Sequence, residues 1–276
     1  MVRTTVLISI SLLANSIAAF GEQRMINVGN RRLAVYCDGD AGSRSQTVIL
    51  IPAGGSTAKD WEKVQPAVSA FARVCSYDHA SHGASDKAPV AIQSVDEVVE
   101  DLHGWLKASG EKPPFILVGH SISGLYARRF ATRFPAEVAG LVFVDSSHEE
   151  QAWRLHELDP QGPGLDDVTV RLGFYIKSGE RLQWRTDTPL IVLCRGMPTP
   201  RRARDGSESS TNRMTEEQFA TWDRIWRELQ EDLAKRSTHG EFRLAEKSGH
   251  FIQRDQPQLV IEAIREFNRA QPFTFS

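Results

Sequence analysis

Residues 115–134 read FILVGHSISGLYARRFATRF. The apolar run Phe115–Val118 predicts a short buried strand. Leu125, Tyr126, Ala127, Phe130 and Ala131 recur at the spacing of one helix face. Between them lies Gly119-His120-Ser121-Ile122-Ser123-Gly124. Strand, tight turn with a serine at its tip, then helix is the setting in which a serine serves as a nucleophile. The turn lifts Oγ of Ser121 clear of the backbone, and the helix N-terminus offers N–H groups to a developing oxyanion. The pattern G-x-S-x-G would place glycine at position 123, where this chain has serine. A helix crossing close to a strand needs a small residue there; serine is small, and Gly124 follows at once. A Gly/Ser-rich loop without chemistry is the plain alternative, and the flanking elements weigh against it.

Outward from this stretch, strands and helices alternate. Met25–Val28 and Arg32–Tyr36 flank Gly29-Asn30 and predict a hairpin. Thr47–Ile51 is a near-continuous apolar run, as in a parallel strand covered on both faces. It leads into Pro52-Ala53-Gly54-Gly55-Ser56 and a helix containing Trp61, Val64 and Val68. Arg73–Tyr77 predicts the next strand. Ser94 and Glu97 form a capping box for a helix with Val95, Val98, Val99, Leu102 and Leu106 on one stripe. Val138–Val144, Leu190–Leu193 and Phe242–Ala245 predict further strands. Phe219, Trp222, Trp226, Leu229 and Leu233 form a helix stripe expected to pack on the sheet, and a last helix starts near Pro257. Residues 149–187 lack strand character and predict a small helical insertion. Residues 197–213 read as a polar loop. Such alternation predicts a parallel doubly wound sheet, whose ligand groups gather beyond the strand carboxyl ends. Ser121, Asp145 and His250 each follow a strand and are expected to converge.

The 276 residues suffice for one large α/β domain. Net charge is -2 with both signs mixed, which argues against a nucleic-acid partner. Arg201, Arg202 and Arg204 read as a solvated loop. No repeat and no metal-ligand spacing is visible, and no cofactor is expected. Arg3, the apolar run Val6–Leu13 and the small residues Ser16, Ala18 and Ala19 predict an export signal over residues 1–19. The mature domain is then 20–276, periplasmic or secreted, without a stable membrane span; an uncleaved anchor is the rival reading. Of three cysteines, an exported protein is expected to bridge two and bury the third. Cys194, inside an apolar run, reads as a small core residue.

A serine hydroxyl needs a base, and imidazole suits that task near neutral pH. A carboxylate must in turn hold the imidazole in the right tautomer. The chain order serine, acid, histidine is that of the α/β-hydrolases, and the sequence resembles that superfamily. The resemblance rests on VILIPAGG with Trp61 downstream, RVCSYDHASHGASD, GHSISG, GLVFVDSSHEEQ and SGHFIQRDQP. It is strongest to exported bacterial serine hydrolases of the esterase type. It implies a mostly parallel sheet of about eight strands with a small helical cap. It also implies Ser121 as nucleophile, His250 as base and a Cys37–Cys75 disulfide. Many relatives carry the acid after the strand at 190–194, but that strand here runs into Arg195-Gly196-Met197-Pro198. Asp145, one strand earlier, occupies the alternative acid position; Glu149 and Glu150 are the fallbacks.

An oxyanion hole needs two N–H donors. One is expected from Ile122. The other is expected from Gly54, where relatives read His-Gly-x, or from Ala53 if the register shifts by one. His120 is expected to pack beneath the serine. His79 and His82 read as a loop near the mouth of the site with surface roles by default, His103 and His239 as exposed, and His148 as a pocket or loop-bonding residue. The implied activity is hydrolysis of small or medium carboxylic esters through an acyl-enzyme. Lactonase, amidase, thioesterase and C–C hydrolase chemistry remain open, as does a non-catalytic binding protein on the same fold.

Overall fold

A computed structural model describes residues 21–40, 46–90, 93–160, 184–198 and 214–269. The predicted signal (1–19), most of the predicted insertion and most of the polar loop at 197–213 lie outside the described residues. In chain order the strands are β1 (Gln23–Val28), β2 (Arg31–Asp38), β3 (Thr47–Ile51), β4 (Val74–Tyr77), β5 (Phe115–His120), β6 (Val138–Val144), β7 (Leu190–Arg195) and β8 (Gly240–Ala245). The longer helices are α1 (Gln65–Ser69), α2 (Val95–Ser109), α3 (Ser123–Arg133), α4 (Gln151–Leu158) and α5 (Glu216–Ala234). They are followed by the short α6 (Ile252–Asp255) and by α7 (Pro257–Arg269). Sheet order is β1-β2-β4-β3-β5-β6-β7-β8. β1, β2 and β4 pair antiparallel, and every pair from β4 through β8 is parallel.

The side-chain period of two divides the core. Ile49, Ile51 and Leu117 point to one face and pack with Leu102, Trp105, Leu125 and Phe130 of α2 and α3. Val48, Leu50, Ile116 and Val118 point to the other and pack with Val68, Val260, Ile261 and Ile264 of α1 and α7. All residues of β3 and β5 are buried, which explains the apolar runs Val48–Ile51 and Phe115–Val118. The capping box at Ser94 forms as expected. The expected single helix through Trp61, Val64 and Val68 is instead a 3₁₀ turn, Ala58–Trp61, followed by α1. Pro66 explains the break: it lacks the N–H that a continuous helix would need and is tolerated in the first turn of a new one.

Cys37 and Cys75 face each other across β2 and β4 and form a disulfide with Cα atoms 4.1 Å apart. Cys194 is free and buried. Among the described residues no helix is long and apolar enough to cross a membrane.

Candidate active site

The turn between β5 and α3 is built by close approach. A side chain on Gly119 would meet the backbone of Ser123, and one on Gly124 would collide with Ser146 Oγ. Ser121 has φ of 56°, an uncommon value for a non-glycine residue and a local cost of order 1–3 kcal/mol. The surroundings impose it. Ser121 N–H donates to the Val144 carbonyl at 3.1 Å, and its own carbonyl accepts from Ser147 N–H at 2.9 Å and Ser146 Oγ at 3.1 Å. The Gln230 side chain bonds both the N–H and the carbonyl of Ser146. The serine tip is thus tied to the end of β6 and, through it, to α5.

Asp145 follows β6, is fully buried and also has positive φ, 42°. His250 follows β8. Its Nδ1 lies 2.7 Å from Asp145 Oδ2. An ionised carboxylate only accepts, so Nδ1 carries the proton and Nε2 is left as the basic nitrogen. Burial would raise the Asp145 carboxyl, but the hydrogen bond from His250 and the charge and backbone N–H of Arg195 hold it well below the usual carboxylate range. Arg195 donates from its backbone N–H to Oδ1 (3.0 Å) and from Nη1 to Oδ2 (2.9 Å). Trp226 Nε1 donates to Oδ1 at 2.7 Å, and the Arg195 guanidinium lies 4.6 Å from the Trp226 ring centroid. Arg195, the last residue of β7, therefore braces the carboxylate that follows the neighbouring strand β6.

Beneath the serine, His120 is fully buried. Its Nε2–H donates to the His250 carbonyl at 2.8 Å, and its Nδ1 accepts from Gln253 at 3.0 Å. Burial, with His250 beside it, pushes the His120 imidazole down to about 3, so it is neutral. His148 is a loop-bonding residue: it contacts Asp232 at 3.0 Å and accepts from Glu150 N–H. Glu149 is engaged by Arg128 and Arg236. Among the described residues, the carboxylate bonded to His250 is that of Asp145.

The Pro52–Ser56 turn flanks the serine on the other side. A side chain on Gly54 would sit 3.2 Å from Ile122 Cγ2, so the two expected oxyanion donors are neighbours. His79, expected at the surface, is buried, and its Nε2 lies 3.0 Å from the Pro52 carbonyl. His103 is not exposed either; its ring stacks on Phe134 with centroids 3.8 Å apart. The pattern of residues around 79 and 103 carried no sign of this, because both contacts join segments remote in sequence. The same holds for Arg195 and Trp226, the latter expected to do no more than pack. Among the described residues, the group of potential metal ligands is Cys37, Cys75 and Glu111, and its two sulfurs are consumed by the disulfide.

Residues 48–263 match the alpha/beta hydrolase family, and the chain belongs to it. It is 24% identical to the uncharacterized protein YqjL of Bacillus subtilis over 81% of this chain and 83% of that one. It spans 46% of the length of another B. subtilis protein, YbdG, at 28% identity over 56% of this chain. Its fold is similar to that of a thermophilic esterase from Thermogutta terrifontis, with TM-score 0.61 and 19% identity over 90% of this chain and 98% of that one. It is also similar to a probable hydrolytic enzyme from Pseudomonas aeruginosa, with TM-score 0.68 and 17% identity over 90% and 94%. At such identities the likeness speaks for the fold. Hydrolytic chemistry in general goes with this family.

Proposed function

We propose that this chain is a serine hydrolase that cleaves small or medium carboxylic esters through an acyl-enzyme. Ser121 Oγ attacks the ester carbonyl and its proton passes to His250 Nε2. The N–H groups of Ile122 and Gly54 hold the oxyanion. The proton then goes to the departing alcohol. A water, deprotonated by His250, releases the acid and restores Ser121. Asp145 keeps the imidazole in the tautomer this requires. The observation that carries the reading is the 2.7 Å contact between His250 Nδ1 and an Asp145 held ionised by Arg195, beside a serine in strained conformation.

The disulfide suits an oxidising compartment and supports the export read from residues 1–19. The test is a fluorophosphonate probe with nitrophenyl esters as substrates. Labelling should map to Ser121, and Ser121→Ala should abolish both labelling and hydrolysis, a loss of at least about a thousandfold. Full hydrolysis by Ser121→Ala would sink the mechanism. A higher kcat/KM on lactones, thioesters or amides than on any nitrophenyl ester would move the substrate class while keeping the chemistry.

A further inference from the structure

Two departures from the usual family pattern touch each other. Serine replaces glycine at 123, and Pro52-Ala53-Gly54 stands where relatives read His-Gly-x. Ser123 is the first residue of α3 and is fully buried, and its hydroxyl donates to the Pro52 carbonyl. The same carbonyl accepts from His79 Nε2 at 3.0 Å. Two donors therefore fill the two lone pairs of one carbonyl.

What this carbonyl anchors is the turn that carries Gly54. Pro52 and Ala53 are buried, whereas Gly54 and Gly55 are exposed. Adjacent glycines hold no conformation by themselves, so the aim of the Gly54 N–H depends on what fixes the stems. Four contacts do so. Ser56 N–H donates to the Ala53 carbonyl at 3.1 Å, closing a turn that needs positive φ at Gly55, where it is 77°. A trans peptide points its carbonyl and its N–H in opposite directions, so the bonded Ala53 carbonyl turns the Gly54 N–H outward. Asp78 Oδ1 accepts from Ala58 N–H at 2.8 Å and holds the far stem. The near stem is held at Pro52, by Ser123 and His79. His79 is itself wedged against Tyr77 and Tyr126, with ring centroids 5.0 and 5.6 Å away. Burial pushes its imidazole down to about 4, which keeps it neutral at physiological pH, with Nε2–H as the donor to the carbonyl.

We propose that Ser123 is a positioning residue: with His79 it clamps the Pro52 carbonyl and so aims the Gly54 N–H at the oxyanion. The serine that spoils the G-x-S-x-G pattern then compensates for the missing His-Gly pair. This rests on the reading of Ser121 as nucleophile.

The experiment uses the full chain and compares Ser123→Ala, Ser123→Gly, His79→Phe and His79→Gln with the parent and with Ser121→Ala. It reads kcat and KM on a nitrophenyl ester, the inhibition constant of a trifluoromethyl ketone that forms a tetrahedral adduct, and the melting temperature. Ser123→Ala is expected to lower kcat by about 10- to 100-fold, less than the loss of a whole oxyanion donor. KM should stay within about threefold, and the ketone should weaken in parallel with kcat. Ser123→Gly, which restores the family pattern, should lose as much. His79→Phe should behave like Ser123→Ala, and His79→Gln, which keeps an N–H donor, should recover part of the loss. The clamp is overturned if Ser123→Ala keeps kcat within about threefold of the parent, or if kcat falls while the ketone binds as before. Should the Ser123 variants fail to fold, an unchanged kcat in His79→Phe overturns it equally. An inactive Ser121→Ala beside a fully active Ser123→Ala removes the clamp alone. A fully active Ser121→Ala removes the serine mechanism, and the clamp with it.

Discussion

The two flanks of Ser121 are held in different ways. On the side of the proposed base, side chains hold side chains: Arg195 and Trp226 fix Asp145, Asp145 fixes the His250 ring, and His120 fixes the His250 backbone. On the side of the proposed oxyanion hole, side chains hold backbone: Ser123 and His79 grip one carbonyl, and Asp78 grips one N–H. The difference follows from what each flank must supply. A buried carboxylate is costly unless every lone pair is used and an opposite charge is near. A peptide N–H carries no net charge and needs only to be aimed. The base side is therefore built around a buried ion pair and densely braced, and the other side aims an uncharged N–H through a few contacts.

Breaking the charge on the base side should have the largest effect. Asp145→Asn keeps the shape but offers its own N–H to the imidazole and favours the wrong tautomer. It should lower kcat by about 10³- to 10⁴-fold. Because it also leaves Arg195 without its main counter-charge, urea unfolding should report a loss of about 3–5 kcal/mol. A variant with near-parental kcat would mean that the bracing of Asp145 serves the fold alone. A finer cut is Trp226→Phe, which removes one of the donors on Oδ1 and leaves the charges in place. Steady-state kinetics should give a kcat about tenfold lower, equivalent to about 1.4 kcal/mol of barrier, with little change in KM. An effect as large as that of Asp145→Asn would show that the bracing is not shared.

The last effect is on stability rather than on rate and concerns the neutral histidines, one on each flank. Burial lowers His79 to about 4 and His120 to about 3, from 6.5 in the unfolded chain. Below pH 6.5 the unfolded chain takes up protons that the folded one refuses. Stability should thus fall as pH drops from 6.5 toward 4, by up to about 1.4 kcal/mol per pH unit for each histidine. Denaturant melts across that range should be flatter for His79→Gln than for the parent. Equal slopes would mean that His79 titrates normally in the folded protein.

Much of this was legible in the chain. The apolar runs of β3, β5 and β6 are visible because buried parallel strands leave no polar alternation. The capping box at Ser94 and the stripes of α2 and α5 are visible because they repeat within a few residues. The positions of Ser121, Asp145 and His250 are visible because each follows a strand, and strand ends converge in a doubly wound sheet. Ser123 was legible only as a deviation to be tolerated, and His79 as a surface residue. Each gains its meaning from Pro52, 71 and 27 residues away.

The sequence by itself determined the order of strands and helices, the family and the types of side chain at the strand ends, because these follow from local periodicity and from the chemistry of single residues. Tertiary structure alone decided which groups brace them: Arg195 and Trp226 on the acid, His120 on the base, Ser123 and His79 on one carbonyl. Hydrogen bonds between side chains remote along the chain form only when folding brings both within about 3 Å, and no pattern of neighbours in the sequence encodes that distance.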